Sequence, residues 1–216
     1  MDTTNVTVQT ARTALPGDLT LFPEARGVVV FAHGSGSSRL SPRNRAVAEA
    51  LNRARFATLL FDLLDEEEEA RDRVTGELRF DIELLGERLT GAVDWLTASS
   101  PAAGLPVALF GASTGAAAAL ITAAARPETI HALVSRGGRP DLADNVLETV
   151  RAPVLLVVGG ADDDVLALNQ GAMQRLYCPN RLHVVPGASH LFTEPGALDE
   201  VCDVAIDWLD RHVLRP

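Results

Sequence analysis

The sequence predicts an α/β protein with one mostly parallel central sheet and helices packed on both of its faces. Short runs rich in Val, Leu and Phe alternate with longer segments in which apolar residues recur every three or four positions. The short runs are apolar at every position, as expected for strands that are buried on both faces. This alternation is typical of βα units, and 216 residues with 47% hydrophobic composition fit a single domain over residues 1–216.

Six buried strands are expected in the body of the chain and an edge hairpin at its start. Residues Asn5–Thr10 and Asp18–Phe22 alternate more weakly around Pro16-Gly17, which predicts an antiparallel hairpin within residues 1–25. The sheet should therefore have about seven or eight strands. The six predicted buried strands are Gly27–His33, Phe56–Asp62, Pro106–Gly111, Thr129–Ser135, Pro153–Gly159 and Arg181–Pro186.

Several segments between the strands carry helix signals. Ser41 followed by Pro42 predicts an N-cap that opens a helix to about Arg55, and apolar stripes predict long helices over residues 82–96 and 198–213. The polar segment 65–79 is expected to be a solvated acidic loop or helical turn. The alternative is that it borders a ligand site, because it follows the carboxyl end of a strand.

Charge and composition exclude several classes of function. The chain has 29 acidic and 19 basic residues, a net charge of −10 and 5% aromatic residues, so no nucleic acid partner is expected. Every basic residue is arginine, which excludes a P-loop lysine, a Schiff base and a Ser-Lys dyad.

The sequence also indicates where the protein acts and that it needs no cofactor. Cys178 and Cys202 are too few for a disulfide scaffold, and Cys202 is expected to fill the core. No signal peptide and no apolar stretch of membrane-spanning length is visible, so we expect a cytoplasmic protein with no membrane contact. No His or Cys spacing suggests zinc, and no metal or other cofactor is expected.

The stretch from Gly111 to Gly115 (GASTG) is the most informative in the chain. It lies between the predicted strand PVALF and an alanine-rich helix. A G-x-S-x-G motif in this context predicts a nucleophile elbow, in which a strained turn exposes the serine while the glycines let strand and helix pass closely. Ser113 is therefore the predicted nucleophile.

A serine hydroxyl needs a general base, and the base needs an acid that orients it. In this strand-turn-helix arrangement the partners follow in the order Ser, acid, His, each after a later strand. His190 follows the last predicted strand and is the predicted base. His131, His183 and His212 lie at positions unsuited to a loop at the carboxyl edge of the sheet.

Three adjacent aspartates follow the strand before His190. Asp162 comes directly after the glycine turn and is the predicted acid. Asp163 and Asp164 suit the N-cap or first turn of the next helix, where the helix dipole favours acids. Asp141, in the loop after the preceding strand, is the alternative acid.

A tetrahedral intermediate also needs donors for its oxyanion. The backbone N–H of Thr114 and that of Ser35, in the glycine-loosened loop after the strand GVVVFAH, are the predicted oxyanion hole. Arg39 stands where a dinucleotide fingerprint would need its third glycine, which excludes that interpretation of the loop. His33 is expected to be a structural hydrogen-bonding residue.

The segment SRGGRP follows a predicted strand at the carboxyl edge of the sheet. Arg136 is a candidate for binding a substrate carboxylate or phosphate, and Arg139 is a second one, because guanidinium donors match planar oxyanions. The alternative for both arginines is an internal ion pair with Asp141 or Asp144.

These motifs resemble the α/β-hydrolase superfamily, and within it the small, lid-less hydrolases of the dienelactone hydrolase-like group. The resemblance runs from about Gly27 to His212 and rests on FAHGSGSS, RNRAVAEALN, LLFDLL, LFGASTGAAAAL, SRGGRPDLA, VVGGADDDV and PGASHLFTEPGAL. It implies the α/β-hydrolase fold without a separate lid domain. Similar domains also occur joined to a phosphoribosyltransferase-like domain, for which this chain has no room. True dienelactone hydrolases use a cysteine nucleophile, so Ser113 argues against carrying over the dienelactone substrate.

The sequence therefore predicts a serine hydrolase that cleaves small-molecule carboxylic esters or thioesters through an acyl-enzyme intermediate. One alternative keeps the same triad but passes the acyl group to another acceptor, as an acyltransferase or perhydrolase does. The other is a non-catalytic or regulatory binding protein on the same fold.

Overall fold

The computed structural model describes residues 2–213, which form one eight-stranded sheet and six α-helices. The strands are β1 (Asp2–Gln9), β2 (Ala14–Leu21), β3 (Val28–Ala32), β4 (Ala57–Phe61), β5 (Val107–Ala112), β6 (Ile130–Arg136), β7 (Val154–Gly159) and β8 (Asn180–Val185). The helices are α1 (Pro42–Arg53), α2 (Glu66–Thr75), α3 (Ile82–Ser99), α4 (Thr114–Ala125), α5 (Asp163–Arg175) and α6 (Ala197–His212).

The strands follow the order β1-β2-β4-β3-β5-β6-β7-β8 across the sheet. β3 to β8 pair in parallel, whereas the β1–β2 and β2–β4 pairs are antiparallel. The predicted mostly parallel sheet is confirmed, and all six strands predicted in the body of the chain are present to within two residues at each end. The burial predicted for the last of them was wrong, because β8 is an edge strand of which only Val185 is buried. Because β3 to β8 run in one direction, the loops after them share one edge of the sheet.

The edge hairpin is present, but the prediction that it turns at Pro16-Gly17 was wrong. The chain turns between Thr10 and Thr13, where the Thr10 N–H and the Thr10 hydroxyl both donate to the Thr13 carbonyl, at 2.9 and 2.8 Å. Pro16 lies inside β2, and its carbonyl still accepts a hydrogen bond from the Asp62 N–H. A proline-glycine pair often marks a turn, but here it lies within a strand that pairs with β1 on one side and with β4 on the other.

Two apolar layers cover the sheet, as the continuous apolar strands predict. Val107 and Leu109 of β5 face a core formed with α3, α4 and α5, and Ala108 and Phe110 face a second core formed with α1 and α6. Phe110 stacks on Phe31 of β3 with ring centroids 4.9 Å apart. Packing on both faces of the sheet fixes the positions of the carboxyl ends of its central strands.

The caps of two helices follow directly from the sequence. Ser41 Oγ accepts a hydrogen bond from the Asn44 N–H at the start of α1, as predicted. Residues predicted as a solvated loop or helical turn form the ten-residue helix α2, where Asp65 and Glu68 make a reciprocal capping box. Glu68 is also bound at 2.6 Å by Arg88 of α3, whose side chain is 6% exposed. None of the helices within residues 2–213 has the length and hydropathy needed to span a bilayer.

Candidate active site

Ser113 occupies a strained turn between β5 and α4. Its φ of 52° and ψ of −121° lie outside the regions that non-glycine residues commonly adopt. Glycines on both sides allow this turn: a Cβ on Gly115 would lie 2.3 Å from the Ala32 carbonyl oxygen, and one on Gly111 would lie 2.5 Å from the Ala116 Cα. The G-x-S-x-G segment therefore has the strand-turn-helix geometry of a nucleophile elbow.

His190 and Asp162 are joined by a short hydrogen bond. His190 lies in the loop after β8, Asp162 in the loop after β7, and His190 Nδ1 is 2.7 Å from Asp162 Oδ2. Asp162 is the N-cap residue of α5, yet its side chain caps no backbone N–H of that helix. A carboxylate can only accept, so Nδ1 carries the proton and Nε2 of the neutral ring is left as an acceptor.

Ser113 adjoins Arg136, which ends β6, and His190 adjoins Gly137, the residue that follows the strand. The Ser113 N–H donates to the Arg136 carbonyl at 3.2 Å. The next residue, Gly137, lies against the imidazole, since a Cβ there would be 3.4 Å from His190 Cε1. The elbow and the imidazole thus both contact the same short backbone segment.

The loop after β3 approaches the elbow, and His33 fixes its backbone. The Leu63 N–H donates to His33 Nε2 at 3.1 Å, so the proton of the neutral ring is on Nδ1, which donates to the Gly34 carbonyl at 3.0 Å. Burial lowers the pKa of His33 and favours this neutral form. The Gly34 carbonyl and the Ser35 N–H belong to one peptide plane and point in opposite directions, so His33 also sets the direction of the Ser35 N–H.

The two predicted oxyanion donors lie on the two segments that meet at the elbow. A Cβ on Gly34 would be 3.0 Å from Ser113 Cβ, which places the Ser35 loop directly beside the nucleophile. Thr114 is the first residue of α4, and its N–H therefore has no partner within that helix. The dipole of α4 adds positive potential at the same point.

A cavity of about 290 Å³ opens beside this loop. One wall is formed by residues 33–38, and the other by residues 62–64, α2 with the turn that follows it, and Leu85 of α3. Part of segment 65–79 therefore faces the loop that carries Ser35 across this cavity, whereas Ser113, Asp162 and His190 do not line it. That segment 65–79 borders a ligand site stays a prediction. The signal for α2 was present in the capping box of Asp65 and Glu68, which predicts a helix at the carboxyl edge of the sheet rather than a loop.

Asp72 stabilises the far wall of the cavity by binding the turn that follows α2. Its carboxylate accepts from the backbone N–H groups of Leu78 and Arg79 and from Arg79 Nε, the last at 2.7 Å. Burial alone would raise the pKa of Asp72, but the hydrogen bonds from Arg79 and Leu78 outweigh it, and the pKa is lowered. Arg79 Nη1 in turn approaches Gly36 of the Ser35 loop.

The two arginines of SRGGRP have different surroundings. Arg139 forms the internal ion pair that was the alternative, with both Asp141 oxygens bound at 2.8 and 2.7 Å. Asp141 therefore faces Arg139, and the structure brings Asp162, not Asp141, against His190. Arg136 is buried and forms no ion pair with any residue among 2–213.

Two of the other histidines bind partners of their own. His183 of β8 binds Glu200 of α6 at 2.7 Å, and His131 binds the Thr129 carbonyl. Within residues 2–213, no three His, Cys, Asp or Glu side chains come close enough together to hold a metal ion. Burial raises the pKa of Cys202 to about 11, which keeps its thiol protonated.

Comparison with protein families and solved structures points to hydrolases. The model described as “Dienelactone hydrolase family” matches residues 13–209. A dienelactone hydrolase from Anabaena variabilis is 53% identical, with 98% of each chain covered and a TM-score of 0.96. The esterase domain of a Rhodothermus marinus protein is 20% identical, covers 99% of this chain and 100% of that one, and has a TM-score of 0.77, which shows a shared fold.

A curated relative carries a different name. The protein of Mycobacterium tuberculosis H37Rv called “Putative phosphoribosyl transferase” is 56% identical over 200 residues, which are 93% of this chain and 44% of the relative. The chain thus spans less than half the length of that relative. A match of 200 residues necessarily overlaps residues 13–209, so it concerns the hydrolase-like region.

Proposed function

From the premise that the chain belongs to the dienelactone hydrolase family, we propose that it is a serine hydrolase of small carboxylic esters or thioesters. The observation that carries the proposal is the 2.7 Å hydrogen bond between His190 and Asp162, next to the strained elbow that holds Ser113. Membership of the family and the 53% identical dienelactone hydrolase support hydrolysis as the reaction class.

In the acylation step, Ser113 Oγ attacks the carbonyl carbon of the ester while His190 Nε2 takes the hydroxyl proton. Asp162 stabilises the imidazolium through the Nδ1–H hydrogen bond and keeps the ring in the required tautomer. When the tetrahedral intermediate collapses, the bond from carbon to the leaving oxygen or sulfur breaks, and His190 returns the proton to the alcohol or thiol. The acyl group stays on Ser113.

In the deacylation step, water attacks the acyl carbon and gives a proton to His190. The bond to Ser113 Oγ then breaks, and the imidazolium returns its proton to that oxygen. One water molecule is consumed, a carboxylic acid is released, and every residue regains its starting state.

The negative charge of both tetrahedral intermediates falls on the former carbonyl oxygen. In the proposed mechanism it is stabilised by the N–H groups of Thr114 and Ser35, aided by the N-terminus of α4. His33 contributes without touching the substrate, because its bond to the Gly34 carbonyl holds the Ser35 N–H in place. His33 is in this sense a positioning residue.

The serine and the cavity both bear on the substrate. A serine at position 113 in place of the cysteine of true dienelactone hydrolases favours ordinary esters and thioesters over dienelactone. The cavity of about 290 Å³ beside the Ser35 loop is at the small end of the range for ligand pockets, which favours short acyl or alcohol groups.

The experiment is a series of p-nitrophenyl esters of increasing acyl length and one thioester, assayed with the parent protein and with Ser113→Ala. The proposal expects turnover with a short-chain optimum in the parent and none above background in the variant. Repeating the assay with added alcohol or hydrogen peroxide identifies the acceptor: predominant transfer to either would replace hydrolysis with acyltransferase or perhydrolase activity. No turnover and no acylated protein by mass spectrometry would support a non-catalytic binding protein.

A further inference from the structure

Hydrogen bonds, and not apolar packing, hold the Ser35 loop, which is the connection of residues 33–41 between β3 and α1. Its one large apolar side chain, Leu40, is 52% exposed. The backbone forms two consecutive turns, which are closed by hydrogen bonds of 3.2 and 3.1 Å across residues 34–37 and 38–41. The first turn carries Ser35, so the position of the Ser35 N–H depends on what fixes these two turns.

The second turn is fixed by Asp62, the residue that follows β4. Asp62 Oδ1 accepts the Arg39 backbone N–H at 2.7 Å, and Asp62 Oδ2 binds the Arg39 guanidinium. The Asp62 side chain is 12% exposed, and it attaches both the backbone and the side chain of one loop residue. The Arg39 guanidinium also lies 3.7 Å from a second carboxylate, that of Asp18 in β2.

The first turn is fixed from the neighbouring residue, Leu63. The Leu63 N–H donates to His33 Nε2 at 3.1 Å, and the other ring nitrogen, Nδ1, donates to a carbonyl of the first turn at 3.0 Å. Two consecutive residues after β4 therefore hold both ends of the loop. Leu63 holds its start through His33, and Asp62 holds its end through Arg39. Ser35 lies between these two attachments.

A loop of this sequence needs such attachments to keep one shape. Gly34 and Gly36 give its backbone wide conformational freedom, and Gly36 adopts a left-handed φ of 66°. An oxyanion donor is most effective when it is held in place before the reaction, because no free energy is then lost to reorganisation. The ion pair of Asp62 and Arg39 is partly buried, and desolvation offsets much of its attraction, so its main contribution is to a single loop conformation rather than to net stability.

We propose that Asp62 is a positioning residue, which acts through Arg39 to hold the Ser35 N–H where the oxyanion of the substrate forms. The inference rests on the proposed hydrolase function. A Cβ on Gly34 would lie 3.0 Å from Ser113 Cβ, so any shift of the loop moves the Ser35 N–H relative to the nucleophile. Asp62 also lines the cavity beside the loop, but both of its oxygens are bound to Arg39, and its effect on the reaction passes through the loop.

The kinetic test compares Asp62→Ala with Asp62→Asn on a p-nitrophenyl ester that the parent cleaves, at a temperature where both variants are folded. Asp62→Ala removes both acceptors and should lower kcat by about 10- to 100-fold, less than the complete loss of one oxyanion donor, with KM within about threefold. Asp62→Asn keeps an oxygen that accepts the Arg39 N–H, so it should recover part of the loss. A purely structural role would lower the unfolding temperature and leave kcat of the folded variants unchanged, which would overturn the proposal, as would equal losses of kcat in both.

Asp18→Ala is the matched control. The Asp18 side chain is buried to a similar extent, 17% exposed, and its carboxylate lies against the same guanidinium. Among residues 2–213 this carboxylate forms ion pairs only with the side chains of Arg39 and Arg45, and it does not bind the backbone of the loop. The control should keep the kcat of the parent. An equal loss of kcat in Asp18→Ala would mean that the charge balance around Arg39 matters and not the attachment of the loop, against the proposal.

A double variant tests whether Asp62 acts through Arg39. Arg39→Met leaves the backbone N–H on Asp62 and should lower kcat by less than Asp62→Ala does. Added to Asp62→Ala, the same change should have no further effect, because the attachment is already lost. Additive losses would mean that Asp62 acts on the substrate directly. Should Asp62→Ala fail to fold, Arg39→Met decides, since the Arg39 side chain is 27% exposed, and an unchanged kcat in that variant would overturn the proposal.

A trifluoromethyl ketone probes the oxyanion site without turnover. Ser113 Oγ adds to its carbonyl carbon, His190 takes the hydroxyl proton, and the carbonyl oxygen becomes an oxyanion at the proposed donors. The inhibition constant should rise in Asp62→Ala by the factor by which kcat/KM falls, because the adduct resembles the transition state. Asp18→Ala should keep the inhibition constant of the parent.

The same measurements separate failure of the inference from failure of the proposed function. A parent protein that neither cleaves esters nor forms the ketone adduct would overturn the hydrolase function and, with it, the role of Asp62. A parent that does both, with kcat and the inhibition constant unchanged in Asp62→Ala, would overturn the role of Asp62 alone.

Discussion

The carboxylate of Asp162 lies 2.7 Å from His190 Nδ1 although Asp162 occupies the N-cap position of α5. An aspartate at an N-cap usually accepts a backbone N–H of its own helix, and here the side chain forms no such bond. The Asp162 side chain thus orients the His190 imidazole instead of capping α5. This loss of a stabilising cap is expected where a residue has a functional role.

Asp162→Asn should therefore lower kcat severely, by about 10³- to 10⁴-fold, because the amide favours the wrong tautomer of His190. Asp163→Asn is the matched control, since Asp163 is exposed in the first turn of α5, where its carboxylate interacts favourably with the helix dipole. It should cost about 0.3 to 1 kcal/mol of stability and leave kcat unchanged. Ester kinetics and thermal unfolding of both variants test the assignment, which fails if the two variants have similar kcat.

The role of His33 in positioning the Ser35 N–H predicts a split between kcat and KM. His33→Ala should lower kcat by about 10²-fold, the effect of losing one oxyanion donor, with KM nearly unchanged. His33→Asn, which retains an amide donor for the Gly34 carbonyl, should recover part of the loss. His183→Gln, at a histidine that binds Glu200 away from the elbow, is the control and should leave kcat unchanged. Equal losses in His33→Ala and His33→Asn would argue against the positioning role.

The buried, neutral His33 also predicts how stability depends on pH. Burial lowers its pKa below the ordinary value of about 6.5, so below that pH the unfolded chain binds a proton that the folded chain excludes. The free energy of unfolding should therefore fall as the pH drops from 6.5 toward the folded pKa of His33. Urea unfolding at about pH 7.5 and about pH 5 should show a decrease in the parent that is up to about 2 kcal/mol larger than in His33→Asn. Equal decreases would contradict the buried neutral state.

Gly115 and Gly171 should respond in opposite ways to alanine. A Cβ on Gly115 would lie 2.3 Å from the Ala32 carbonyl oxygen, so Gly115→Ala should cost about 1 to 3 kcal/mol or more as the elbow is displaced. Gly171 lies in α5, and apart from its chain neighbours and the nearby backbone of that helix no atom lies within 4 Å of such a Cβ, so Gly171→Ala should stabilise the protein by about 0.5 to 1 kcal/mol. Thermal unfolding of the two variants measures both effects, and a Gly115→Ala variant as stable as the parent would contradict the close approach of Gly115 to the Ala32 carbonyl.

The elbow and the contact between His190 and Asp162 could be predicted from the sequence because both follow from the order of strands, loops and glycines along the chain. The segment around Ser113 has glycines where strand and helix pass closely, and the loops after two parallel strands necessarily meet at one edge of the sheet. The turn of the edge hairpin could not be placed, because Pro16-Gly17 has the composition of a turn while its backbone pairs with strands on both sides.

The surroundings of Arg136 and Arg139 could not be predicted from the sequence for a different reason. Arg136 and Arg139 are three residues apart and share the same acidic neighbours in the chain, yet one is paired and the other is buried alone. The difference arises from the side of the sheet to which Arg136 points, since its guanidinium lies over Phe110 in the core that packs against α1 and α6. Long-range packing of this kind leaves no local pattern.

The most direct test of the central claim is labelling with a fluorophosphonate, which reacts with an activated serine and not with an ordinary one. The parent should take up one phosphonyl group, peptide mapping should place it on Ser113, and both Ser113→Ala and His190→Ala should remain unlabelled. A label on any other residue, or no label on a folded parent protein, would contradict the assignment of Ser113 as the nucleophile.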